Sequence, residues 1–181
     1  MSAEVWTAIF SGLTLVVFVV TAFAALVQLR HLRVNNSLSG LIMLLEDWQK
    51  PELQERMRHI LLEFPARLKD EEFLTVLRGA ERLARADHEW LQVCDFYEQL
   101  GSYVKYNMIE AAPLIDVSNN QIMSLWTSVE PAVAILRAKR GSDSIFENFE
   151  YLAVLSRKWN ERHPNGAYPT NVPRWKQLLR R

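Results

Sequence analysis

The stretch from Val5 to Leu29, VWTAIFSGLTLVVFVVTAFAALVQL, runs for 25 residues without one charged side chain. A helix rises about 1.5 Å per residue, so this stretch is about 37 Å long and exceeds a hydrocarbon core of about 30 Å. Its densest part, Leu15 to Val20, is wholly aliphatic or aromatic. A buried core helix is rarely free of charge over such a length, and the segment predicts a membrane-spanning helix. A cleaved signal peptide wants a basic start, whereas this chain begins Met-Ser-Ala-Glu, with Glu4 as the only charge before the stretch. Ala22-Phe23-Ala24 has the small-residue form of a cleavage site, but the charges flank the segment the wrong way round.

Working outward, Arg30 and Arg33 follow the stretch and no Lys or Arg precedes it. The positive-inside rule then places the N-terminus outside and the rest of the chain in the cytoplasm, as a single-pass protein of the inner (plasma) membrane. Trp6 suits an outer interfacial anchor, and Arg30 and Arg33 the inner interface. Thr7, Ala8, Ser11 and Gly12 form a small-residue face that can bring two spans together.

The remaining sequence reads as helices. Leu38, Leu41, Ile42, Leu45 and Trp48 recur at helical spacing before Lys50-Pro51, and Asn35-Asn36-Ser37 either cap this helix or lie within one long stalk. Pro51 suits the first position of a helix with Leu53, Met57, Ile60 and Leu61 on one face, closed by Phe64-Pro65. Asp70-Glu71-Glu72 reads as a capped start leading to Phe73, Val76 and Leu77. Leu83, Trp90, Val93, Tyr97, Leu100, Val104 and Met108 keep a near-heptad beat in which Gly101 marks a close helix contact. Ile122, Leu125, Trp126, Val129, Val133 and Leu136 form the next stripe, kinked or restarted at Pro131. Ile145, Phe149, Leu152, Leu155 and Trp159 form the last. No segment alternates in the manner of a strand. The expected fold is all-α, an N-terminal transmembrane helix followed by a cytoplasmic bundle of about five or six helices. Its parts are an anchor at 1–33, a helical domain at 34–163 and a basic irregular tail at 164–181.

Several phrases in order resemble the bacterial family known as domain of unknown function 4760: QLRHLR at 28–33, VCDFYEQLGSYV at 93–104, ILRAKRG at 135–141 and FENFEYLA at 146–153. The resemblance implies a small membrane-anchored helical protein. It implies no activity and no catalytic residues.

Composition narrows the chemistry. With 6 Gly, 7 Pro, 49% hydrophobic and 23% charged residues among 181, the chain is neither collagen-like nor disordered. The single cysteine, Cys94, excludes an intramolecular disulfide and a cysteine-built metal site. Glu55 and His59 stand four apart, but a di-metal bundle needs Glu-x-x-His on two helices, so a solvated pair is expected there. His88, Cys94 and Asp95 resemble a nucleophile set only in composition, since six positions along a helix turn His88 and Cys94 apart, and Cys94 reads as core. Trp48, Trp90, Trp126 and Trp159 also read as core. Phosphate loops, nucleophile elbows, zinc and calcium motifs are absent. The candidate ligand-binding residues are Glu147, Asn148 and Glu150, exposed polar groups beside aromatic ones, although carboxylates in a first helical turn also suit the helix dipole alone. No metal and no cofactor is expected.

The formal charge of zero is a cancellation. The first 29 residues carry −1, residues 30–163 carry 17 basic against 20 acidic groups, and the tail carries +4. Between Ala86 and Leu136 there are seven acids and one base, Lys105. Basic groups are drawn to an anionic leaflet, so Arg174, Lys176, Arg180 and Arg181 are expected at the membrane with Trp175, and the acidic middle away from it. Expected partners are the lipid bilayer and a protein partner or second copy, with no nucleic acid. The expected function is a membrane-anchored interaction or regulatory module. A membrane-tethered enzyme around Glu147, or an oligomeric effector or channel subunit, is the alternative.

Overall fold

A computed structural model describes residues 3–79, 83–85 and 87–178 of the chain. Eight helices and no strand occur among the described residues, so the fold is all-α. The chain divides into two compact units, Met1–Met43 and Leu44–Arg181.

The first unit belongs to helix α1, Ala3–Trp48, which continues into the start of the second. Asn35, Asn36 and Ser37 lie inside it, so they do not start a new helix. The side chains of Arg33, Leu38 and Leu41 lie outside the described residues. Within α1, Ala3–Arg30 is long and apolar enough to cross a membrane, with mean hydropathy 2.4 and none of its most apolar window buried. Thr7 and Thr14 donate their hydroxyls to the carbonyls of Ala3 and Phe10, at 3.0 and 2.8 Å, so these polar groups are satisfied within their own helix.

The second unit holds α2 (Pro51–Leu62), α3 (Phe64–Arg67), α4 (Glu71–Gly79), α5 (Trp90–Lys105), α6 (Ala111–Arg140), α7 (Glu147–Arg162) and the single turn α8 (Trp175–Leu178). Local chemistry sets their ends. Pro51 sits at the start of α2, where a missing backbone donor costs nothing. Asp70 accepts the Glu72 N–H at 3.0 Å and caps α4. Gly141, at φ 59°, takes the left-handed conformation that closes α6, with Ser142 N–H donating to the Arg137 carbonyl. Pro131 neither ends nor restarts α6, which runs through it. The carbonyl of Thr127 that the proline releases lies where both residues are exposed, so water can satisfy it.

The longest helix of this unit, α6, touches α2, α3, α4 and α7, while α5 packs on α2 and α7. Met57, Ile60, Tyr97, Leu100, Ile122, Leu125, Val129, Phe149 and Leu152 are fully buried between them. Tyr97 stacks on Phe149 at 4.7 Å and Trp126 meets the same ring edge-on at 5.2 Å. A second aromatic cluster joins Phe64 to Phe73 and Trp90.

Several stripe positions differ from the sequence reading. Leu44 is the buried residue near the end of α1, and Ile42 is about half exposed. Leu61 and Val76 are exposed too. Leu83 precedes α5, and Met108 leaves the stripe because Asn107 adopts φ 55° and terminates the helix, with Met108 N–H returning to the Tyr103 carbonyl at 2.8 Å. Of the four tryptophans read as core, Trp90 is buried and Trp48, Trp126 and Trp159 are half-buried.

Candidate functional site

Glu147, Asn148 and Glu150 open α7, and its start has no local cap: Phe146 holds the N-cap position in the left-handed conformation, φ 55°, without a side-chain acceptor. The first N–H groups of a helix are orphans unless something outside supplies oxygen. Glu98 of α5 does so. One carboxylate oxygen accepts the N–H groups of Asn148 and Phe149 at 2.9 and 3.0 Å, and the other accepts the Asn148 amide at 2.7 Å. A carboxylate here also faces the positive end of the helix dipole.

Helix α5 comes this close because residue 101 is glycine. A Cβ on Gly101 would fall 2.1 Å from the Asn148 carbonyl oxygen, so no other residue fits without moving a backbone. The expected close contact at Gly101 is therefore present, and its partner is the first turn of α7.

Neighbouring charges complete the joint. Lys105 donates to Glu147 at 2.9 Å and to Asn148 Oδ1 at 3.2 Å. The hydrogen bond it donates to Glu147 holds the exposed Lys105 ammonium above its ordinary range. On the far side, Arg137 of α6 donates to Glu150 at 2.6 Å and to the Ile145 carbonyl at 2.9 Å, with its guanidinium 5.7 Å from the Trp126 ring centre. Trp126, Arg137, Asp143 and Glu150 border a surface groove of about 330 Å³.

The three sequence candidates thus lie together, but each is engaged by another helix: Glu147 with Lys105, Asn148 with Glu98 and Lys105, Glu150 with Arg137. Their arrangement ties α5, α6 and α7. Glu98, Lys105 and Arg137 were not singled out from the sequence as partners, because they come from 42 to 50 positions away for the first two and across a turn for the third.

Elsewhere, Glu55 pairs with Arg58 and not with His59, whose Nδ1 lies 3.0 Å from Glu63. Asp95 pairs with Arg85. Cys94 is fully buried, and burial, with Asp95 and Glu98 adding to it, pushes its thiol well up, which suits a core residue and not a nucleophile. No cluster of three metal-ligating side chains exists among the described residues.

The residues expected at a membrane surface are spread along the chain. Trp6 is half exposed and packs on Phe10 at 6.1 Å. Arg30 is exposed on α1. Arg174 donates to the Asn165 carbonyl at 2.8 Å and lies 4.8 Å over Tyr168, folding the tail locally, while Lys176 is exposed. Arg180 and Arg181 lie outside the described residues.

The model of a family described as a domain of unknown function (DUF4760) matches residues 15–159. No curated protein and no solved structure matches the chain.

Proposed function

The chain belongs to the DUF4760 family, and from that footing we propose that it is a single-pass membrane protein whose second unit acts as an interaction or regulatory module. The observation that carries this reading is the Ala3–Arg30 segment. It is uncharged from Val5 to Leu29, and its apolar window finds no cover from the rest of the chain. A soluble protein does not leave such a surface in water, where burying apolar area is worth about 25 cal/mol per Å². Arg30 and Arg33 favour a cytoplasmic second unit, and a bacterial plasma membrane is the bilayer proposed.

The interaction role rests on the fate of the polar candidates. Glu147, Asn148 and Glu150 are occupied in holding helices together, which favours a scaffold over a catalytic cleft. Anchoring confines a weak binder to two dimensions and raises its effective concentration for partners there, a protein or a second copy. The basic tail adds attraction to an anionic leaflet.

Anchoring is tested by alkaline extraction of membranes and by protease digestion of right-side-out and inverted vesicles carrying a C-terminally tagged chain. The protein should stay in the pellet, and the tag should be removed only in inverted vesicles; release at high pH would end the anchoring reading. The interaction role is tested by crosslinking in native membranes, where recovery of monomer alone would count against it.

A further inference from the structure

Between α7 and α8 the chain makes a loop that its own atoms hold closed. Gly166, at φ 77°, turns the backbone, with its N–H donating to the His163 carbonyl at 2.9 Å. Val172 N–H returns to the Pro169 carbonyl at 3.3 Å, and the Tyr168 hydroxyl donates to the Pro173 carbonyl at 3.2 Å. Arg174 fastens the two ends, donating to the Asn165 carbonyl at 2.8 Å while its guanidinium lies 4.8 Å over the Tyr168 ring. The loop is thus shaped in advance of any partner, which lowers the ordering cost of binding one.

This loop carries large apolar groups on its outside. Trp175 is 72% exposed, and Tyr168 and Val172 are nearly half exposed. Every charge from residue 164 to the end is positive, namely Arg174, Lys176, Arg180 and Arg181, and the last acid before them is Glu161. Lys176 is exposed beside Trp175. The stretch from Ala86 to Leu136 has the opposite character, with seven acids and one base.

A surface that covers this loop has to suit an indole and a run of cations together. An anionic bilayer does both: its phosphates attract Lys and Arg, and its headgroup layer is where tryptophan prefers to lie. An apolar protein groove takes the indole but gains nothing from the charges. Four basic groups are the lower edge of a lipid-binding cluster, so such a contact is weak alone. Tethering to the same bilayer through α1 raises its effective concentration and makes a weak contact sufficient. We propose that the loop at 165–176 docks on an anionic phospholipid surface, with Val172 and Trp175 at headgroup level and Lys176 among the phosphates. The proposal rests on the reading of α1 as a membrane anchor.

The test is tryptophan fluorescence of the full chain in nanodiscs whose lipids are brominated high on the acyl chain. One set holds phosphatidylcholine alone and the other about 30% phosphatidylglycerol, which supplies the negative charge. Subtracting the spectra of Trp175→Phe and Trp6→Phe isolates the two indoles. Trp175 should be quenched at least about twofold with phosphatidylglycerol and stay unquenched without it, because headgroup charge brings the loop to the surface. Lys176→Glu should abolish most of this quenching, while Lys69→Glu, the same charge change at an exposed site between α3 and α4, should leave it intact. Trp6 should be quenched in both lipids and reports the anchor itself. A quenched Trp6 with Trp175 unquenched in both lipids overturns the docking and keeps the anchor, whereas an unquenched Trp6 removes the anchor and the docking with it. Equal quenching of Trp175 in the two lipids, or equal losses in Lys176→Glu and Lys69→Glu, also overturns the proposal, since neither result needs the charge of this loop.

Discussion

Glu98 does for α7 what a serine or aspartate at the N-cap does elsewhere, from another helix and at a sequence distance of 50. Glu98→Ala removes three charge-assisted acceptances and leaves two backbone donors partly buried, so the second unit should lose about 1–3 kcal/mol in urea unfolding, and Glu98→Gln less. An unchanged midpoint in Glu98→Ala would show that water caps α7 equally well. His88 offers a pH probe at the same scale. Burial, then the Arg67 guanidinium, push its imidazole below the ordinary range, against a smaller upward pull from Asp87. The unfolded chain therefore takes up a proton near pH 6.5 that the folded chain resists, so stability should fall as pH drops below about 6.5 and stay level above it. Urea midpoints at pH 7.5 and 5.5 should separate in the native chain and converge in His88→Gln; an equal drop in both would place the loss elsewhere. Neither role was readable in the sequence. A carboxylate in an apolar stripe looks the same whether it faces water or a helix end, and the environment of His88 is built from α3, α4 and the segment before α5.

At the scale of elements, the apolar stripes of α5, α6 and α7 were legible because burial on one face repeats every three or four residues. Their ends were less so. Met108 continues the stripe of α5 on paper, and only the left-handed Asn107 removes it; asparagine tolerates that conformation without requiring it. Gly101 was legible as a contact, but the identity of its partner was not. Gly101→Ala must separate α5 from α7 or bend one of them, and a cost of about 1–3 kcal/mol is expected in denaturant unfolding, despite the higher helix propensity of alanine. A stabilised Gly101→Ala variant would mean that the two backbones separate freely. Arg137 joins α6 both to the turn before α7 and to α7 itself, donating from separate nitrogens to the Ile145 carbonyl and to Glu150. Arg137→Lys keeps the charge but cannot reach both, so it should recover little of a loss of about 1–2 kcal/mol expected for Arg137→Ala, a value kept low by the partial exposure of Glu150. Full recovery by lysine would reduce the role of Arg137 to its charge.

For the whole molecule, the division at Met43 and Leu44 implies that the second unit carries its own core. Residues 44–181 expressed alone should be soluble, helical by circular dichroism and cooperative in unfolding; an aggregated or molten product would mean that this core is completed by the preceding segment. The order of anchor and bundle could be read from the sequence because a charge-free run and helical stripes are local patterns. The joint between Glu98 and Asn148 could not, since a carboxylate on one helix signals nothing until the start of another meets it. The buried thiol at Cys94 has a practical consequence for such work. With its only sulfhydryl shielded and slow to ionise, the natural chain serves as a blank for maleimide chemistry. A fluorophore or spin label attached at any introduced surface cysteine would report from one known position, with no native residue replaced to clear the background.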